Sequence, residues 1–122
     1  MNPAQLGRRG EAVAARQYQK QGYALLAHHF CTRMGELDLI LKAPDGTLVF
    51  CEVKTRSPNA LARPAAAVDA GKQRRLIRTA QLYLQQTRQS DEPIRFDVAE
   101  VIPLDSGRWM VHIIESAFCC TE

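Results

Sequence analysis

Asp38, Glu52 and Lys54 are the residues of this chain best placed for chemistry, because each stands inside a strand-like apolar run. The runs are Gly35-Glu36-Leu37-Asp38-Leu39-Ile40-Leu41 and Leu48-Val49-Phe50-Cys51-Glu52-Val53-Lys54, joined through Pro44-Asp45-Gly46. A carboxylate or ammonium in such a setting is costly unless it is paired or bound to metal. Two neighbouring carboxylates suit Mg²⁺ or Mn²⁺; magnesium takes one or two protein carboxylates and completes its shell with water and phosphate oxygens. Such an ion orients and acidifies a water for attack on phosphorus and offsets charge on the phosphoryl oxygens. Lys54, a compact cation, can orient that water or neutralise those oxygens. The chemistry implied is metal-dependent phosphodiester hydrolysis.

The turn determines whether these groups meet. Pro44-Asp45-Gly46 suits a three-residue hairpin loop whose last member, Gly46, takes the left-handed conformation of a G1 bulge. That loop pairs Ala43 with Thr47 and, counting back, Ile40 with Phe50, Asp38 with Glu52 and Glu36 with Lys54. One face then carries Leu37, Leu39, Leu41, Val49, Cys51 and Val53 and belongs on a core. The other carries Ile40, Leu48 and Phe50 near the turn and Asp38, Glu52, Lys54 and Glu36 at the far end. Directly opposed Cβ atoms lie roughly 4.5–5.5 Å apart, so Asp38 and Glu52 can share one cation. The competing reading is a cross-strand ion pair of Lys54 with Asp38 or Glu36 on a solvated face, which stabilises little.

Asp38 followed by Glu52-Val53-Lys54 resembles the PD-(D/E)xK nuclease motif, although Leu37 stands where the literal Pro would be. The wider text, Gly35 to Ile40, Phe50 to Arg56 and Arg95-Phe96-Asp97-Val98, is similar to the UPF0102 (YraN-like) family of bacteria from about Leu6 to Val101. The resemblance implies a restriction-endonuclease-like fold and a likeness to archaeal Holliday junction resolvases. It further implies a DNA substrate, branched or flapped structures among the candidates, and a homodimer, since resolvases cut both strands as dimers. The implied metal ligands are Asp38, Glu52 and the backbone carbonyl of Val53. Resolvases also carry a Glu in the first helix, which directs attention to Glu11. Leu6, Val13, Ala14 and Tyr18 recur at helical spacing and Glu11 lies at the edge of that stripe, where it can face the sheet and, as a third carboxylate, ligate the metal directly or through water. The alternative is an early-helix Glu favoured by the macrodipole. A Lys recurs in the family near Lys72, which marks Lys72 as a phosphate-binding residue.

The elements that would position these groups are legible in outline. A helix ending at Gly22 precedes a strand over Tyr23–Phe30 and the two central strands. Ser57 to Pro64 is expected to be a loop beside the site. A helix from Ala65 or Asp69 to Gln86 carries an apolar stripe of Leu76, Ile77, Ala80, Tyr83 and Leu84. Ile94–Val101 and Trp109–Ile114 are further strands, with a tail from 116 to 122. Helix, three strands, helix, two strands predicts an α/β sandwich with a mixed five-stranded sheet flanked by helices. Asp97 is expected to orient Arg95 or a backbone group rather than metal, and Trp109 to pack at the core edge.

The chain has 122 residues, 46% hydrophobic and 24% charged, which fits one globular domain over 1–122 with its core at about 6–115. No apolar run approaches a membrane span and the amino terminus lacks a signal-type apolar region, so a cytoplasmic protein is expected. Cys31, Cys51, Cys119 and Cys120 form no CxxC pair, so reduced thiols are expected, without a zinc site from these and His28, His29 or His112. One of His28 and His29 can touch phosphate. The net charge of +3, from 16 basic and 13 acidic residues, does not by itself indicate a nucleic-acid partner. Its distribution says more: Arg8, Arg9 and Arg16 group in one segment, Lys72, Arg74, Arg75 and Arg78 in another, and Arg33 and Arg56 flank the acidic residues. Of these, Arg8, Arg33, Arg56, Lys72 and Arg75 are the candidate phosphate contacts of a shape-reading protein. The bland reading is solvated helix faces. Two non-catalytic alternatives remain: a nucleic-acid-binding module with the same fold, and an interaction subunit of a DNA-processing complex. Neither needs Asp38, Glu52 and Lys54 together.

Overall fold

The computed structural model describes residues 2–56 and 68–119. Helix α1 spans Pro3–Lys20 and begins three residues before the apolar stripe does. Asn2 caps it by accepting the Gln5 amide, the Asn2 amide donates in turn to the Gln5 side-chain oxygen, and Pro3 supplies a pre-set φ. Strands β1 (Ala24–Thr32), β2 (Gly35–Lys42) and β3 (Leu48–Thr55) follow. Helix α2 (Ala70–Gln86) starts after the N-cap Asp69, whose side chain accepts the Lys72 amide at 2.8 Å. Strands β4 (Ile94–Pro103) and β5 (Trp109–Phe118) complete the chain. The expected loop over Ser57 to Pro64 lies outside the described residues.

The sheet runs β1-β2-β3-β4-β5 and is antiparallel except for the β3–β4 pair, which is parallel. This is the expected α/β sandwich with a mixed five-stranded sheet, consistent with a nuclease-like arrangement. A parallel central pair requires a crossover, and α2 lies within that connection. Each sheet face has its own apolar layer. Ala14, Ala15 and Tyr18 of α1 pack on Leu39, Leu41, Val49, Cys51, Ala99 and Val101. Leu76, Ala80 and Leu84 of α2 pack on Leu37, Ile40, Leu48, Phe50, Phe96 and Val98.

The hairpin loop forms as its residues dictate. The Ala43 amide donates to Thr47 at 2.8 Å, Gly46 has φ +93° and Ile40 pairs with Phe50. Farther from the turn the expected register does not continue. The β2–β3 ladder ends at Leu39–Cys51, so Asp38 does not pair with Glu52, nor Glu36 with Lys54. Leu37 packs in the α2 layer rather than with Leu39 and Leu41. The alternation slips by one residue at Asp38, whose side chain accepts the Val53 amide at 2.8 Å in place of a backbone pairing.

The last strand also runs on beyond expectation. The tail expected from residue 116 begins as sheet: Phe118 pairs with Phe96 and their rings stack 4.9 Å apart. Ser116, at φ 51°, forms the irregularity that makes this possible, and its amide donates to Asp97 at 3.1 Å. Asp97 also accepts from Tyr18 Oη at 2.8 Å and from two nitrogens of Arg95 at 2.9 Å, so its role is structural, as expected. Trp109 packs, partly buried, at the margin of the α1 layer.

Candidate metal centre and nucleic-acid interface

The site lies where β2 and β3 part. Gly10 brings α1 onto this end of the sheet: a Cβ there would stand 2.6 Å from Thr55 Oγ1 and 2.8 Å from Val101 Cγ2. The absent side chain therefore sets the distance at which Glu11, the next residue, meets the strands. From β1 comes His29, whose backbone is in the left-handed region at φ 50°. Its Nε2 lies 2.7 Å from Glu11 Oε1. Asp38, almost fully buried, completes the group: one ligand atom from each of Glu11, His29 and Asp38 lies within 4.8 Å of the other two.

Glu52 stands on the other side of the parting. Its Oε1 lies 2.8 Å from Lys72 Nζ on α2, and with Glu36, Arg75 and Leu76 it lines a cavity of about 260 Å³. The charges nonetheless feel one another. Burial raises the Asp38 carboxyl to about 7, and Glu52, Glu11 and Glu36 push in the same direction against the Val53 amide, which lowers it. Burial likewise raises Glu11, offset by His29 and reinforced by Glu36 and Glu52. Lys54 is lowered, first by burial and then by Arg56 and Lys72. The acidic groups are thus under-compensated. A dication would relieve this, and the oxygen donors fit a hard one. Two donors each about 2.1 Å from one ion stand roughly 3.0 Å apart when adjacent and roughly 4.2 Å when opposite, so the Glu11, His29 and Asp38 atoms, all within 4.8 Å of one another, would have to draw together to share one.

The expected phosphate contacts fall into separate places. Lys72 and Arg75 line the cavity beside Glu52. Arg8 is exposed and lines a cleft of about 280 Å³ between α1 and β1, together with Glu11, His28 and His29. Arg33 is exposed at the β1–β2 turn. Arg56 instead reaches across to β4, its Nε 3.4 Å from Glu100 Oε2, and its amide bonds to Val101. Val53 contributes its amide to Asp38. Sequence reasoning offered His29 only as a candidate phosphate contact, whereas the structure sets it against Glu11 and near Asp38. The signal was available: counting back through the turn at Gly35 sets His29 opposite Asp38, as the observed pairs His28–Leu39 and Phe30–Leu37 bear out. No disulfide joins Cys31, Cys51 or Cys119.

Residues 10–101, which contain Glu11, His29, Asp38, Glu52 and Lys54, match the family model described as Uncharacterised protein family UPF0102. A UPF0102 protein of Symbiobacterium thermophilum is 44% identical over 113 residues, covering 93% of this chain and 95% of the relative. One from Pelobacter propionicus is 38% identical, covering 92% and 81%, and one from Bifidobacterium longum is 37% identical, covering 97% and 96%. These relatives are matched over at least 92% of this chain and 81% or more of their own lengths, and the chain therefore belongs to the UPF0102 family.

Proposed function

We propose that this protein is a Mg²⁺- or Mn²⁺-dependent DNA endonuclease, acting in the cytoplasm. The observation that carries the reading is the convergence of Glu11 and His29 on the buried Asp38 at the parting of β2 and β3, where burial first, and then the charges of Glu52 and Glu11, raise the Asp38 carboxyl to about 7. Asp38, Glu52 and Glu11 would hold the ion, with the Val53 carbonyl as a further donor. When bound, the ion supplies an acidified water and stabilises charge on phosphoryl oxygens. Val53 fixes Asp38 through its amide, which removes a rotamer choice from that carboxylate. Lys54 lies on the same strand as Glu52, two residues on, so both project from one face of β3. There its ammonium orients the attacking water or neutralises the phosphate. Lys72, Arg75, Arg8 and Arg33 would hold flanking phosphates, contacts that carry no sequence information; branched or flapped DNA enters as a substrate through the likeness to resolvases. A homodimer would present two such sites to a junction.

The test is cleavage of labelled linear, flapped and four-way DNA with Mg²⁺ or Mn²⁺ by the wild-type protein, Asp38→Asn and Glu52→Gln. Cleavage by the wild type alone supports the reading. Salt-dependent DNA binding without cleavage by any form would replace it with a binding module. One contact favours that second reading: Lys72 already neutralises Glu52 at 2.8 Å.

A further inference from the structure

Apart from the carboxylates, the site contains a nitrogen donor. His29 sits on β1, and its imidazole meets Glu11 at 2.7 Å and converges with Asp38. Its backbone is in a conformation that few non-glycine residues adopt, with φ 50°. Its neighbours His28 and Phe30 pair with Leu39 and Leu37, which sets residue 29 opposite Asp38. The arrangement brings together one imidazole and two carboxylates from three different elements, α1, β1 and β2. The cleft between α1 and β1 opens beside Glu11 and His29 and gives an ion a route in.

We propose that His29 is a metal ligand, coordinating the same ion as Asp38 and Glu11, and that the centre therefore selects Mn²⁺ or a later first-row dication over Mg²⁺. The inference rests on the reading above that Asp38 and Glu11 hold a cation. Magnesium prefers oxygen donors and dehydrates reluctantly, so an imidazole in its shell is a poor exchange for water. Affinity of a nitrogen donor rises along the first row from Mn²⁺, so the same imidazole favours transition ions. The 2.7 Å contact between His29 and Glu11 then holds the two donors together before the ion arrives; coordination replaces that hydrogen bond, with the proton leaving Nε2 and the neutral imidazole keeping its one proton on Nδ1 so that the Nε2 lone pair meets the ion.

The test is pulsed electron paramagnetic resonance of Mn²⁺ bound to the full chain, with calorimetric titration of Mn²⁺ and of Mg²⁺, on wild type, His29→Asn, His28→Asn and Asp38→Asn. Asn tolerates the left-handed backbone, so His29→Asn retains the strand, and circular dichroism verifies the fold. The expected result is ¹⁴N modulation from a bound imidazole in wild type and His28→Asn, absent in His29→Asn. Mn²⁺ affinity should fall at least about tenfold in His29→Asn, no less than the loss of an outer-shell partner costs, while Mg²⁺ affinity changes little. Mn²⁺ bound in wild type and lost in Asp38→Asn, but with no ¹⁴N modulation and no change in His29→Asn, overturns the role of His29 and leaves the carboxylate site standing. Modulation that survives in His29→Asn and disappears in His28→Asn overturns the assignment in favour of the neighbouring imidazole. Absence of any metal binding to the wild type overturns both readings.

Discussion

The Asp38 carboxylate accepts the Val53 amide at 2.8 Å and takes the place of a backbone partner where β2 leaves β3. A buried acid that closes a ladder in this way is useful to the fold, yet its charge is resisted by burial and by Glu52, Glu11 and Glu36. The folded carboxyl is raised from 3.8 to about 7. A raised acid binds its proton more tightly folded than unfolded, so its stabilising contribution is complete below about pH 4 and is lost as pH rises through about 7. Metal-free protein should therefore lose on the order of 1–3 kcal/mol between pH 5 and pH 8 from this group, the shift being discounted for relaxation around the charge. Asp38→Asn, which keeps an acceptor for Val53, should flatten that dependence, and added Mn²⁺ should restore wild-type stability at pH 8. Urea unfolding at the two pH values with chelator checks this; an unchanged slope in Asp38→Asn refutes it.

Gly10 governs how closely α1 approaches the site. Alanine there gains up to about 1 kcal/mol of helix propensity, yet its Cβ would press on Thr55 and Val101, both stiff at χ1. The clash should win, with a net loss of roughly 1–3 kcal/mol and weaker metal binding as Glu11 is carried away from Asp38. Denaturant titration of Gly10→Ala measures the first effect and calorimetry the second. A neutral or stabilised Gly10→Ala would show that the helix is free to lift without consequence.

Asp97 tests whether scaffold and site separate. It is buried and serves Tyr18, Arg95 and the Ser116 amide. Asp97→Ala should cost about 3–5 kcal/mol, because Arg95 is left without its buried partner. The metal affinity of the fraction still folded should match wild type. A large drop in affinity at full folding would instead make Asp97 part of the centre.

Lys72 should show effects of opposite sign. Its ammonium rests on Glu52, so Lys72→Gln releases that carboxylate and should raise metal affinity about twofold to fivefold, the scale of a partly exposed ion pair. The same change removes a phosphate contact, so DNA affinity should fall and the slope of log affinity against log salt should shrink by about 0.9. Calorimetry and fluorescence anisotropy across a salt series read the two. Parallel losses of both would mean that Lys72 supports the metal rather than competing with it.

Local chemistry was legible in the chain itself. Pro44-Asp45-Gly46 specifies its own turn because Gly46 accepts a positive φ at no cost, and the pairs nearest that turn follow from it. The five strands and two helices, the cap at Asp69 and the structural part played by Asp97 are likewise short-range or pattern-borne. So was the Asn2–Gln5 capping box, a start signal that the apolar stripe overshadowed. Tertiary structure alone decided the rest. The slip at Asp38 arises because a buried side chain substitutes for a backbone partner, which no alternation pattern encodes. β5 reaches Phe118 because Phe96, twenty-two positions earlier, offers a ring to stack on. Glu11 joins His29 and Asp38 because a glycine lets the helix come close to the strands. Residue types and their spacing carry the donors, whereas convergence depends on packing between elements distant in sequence.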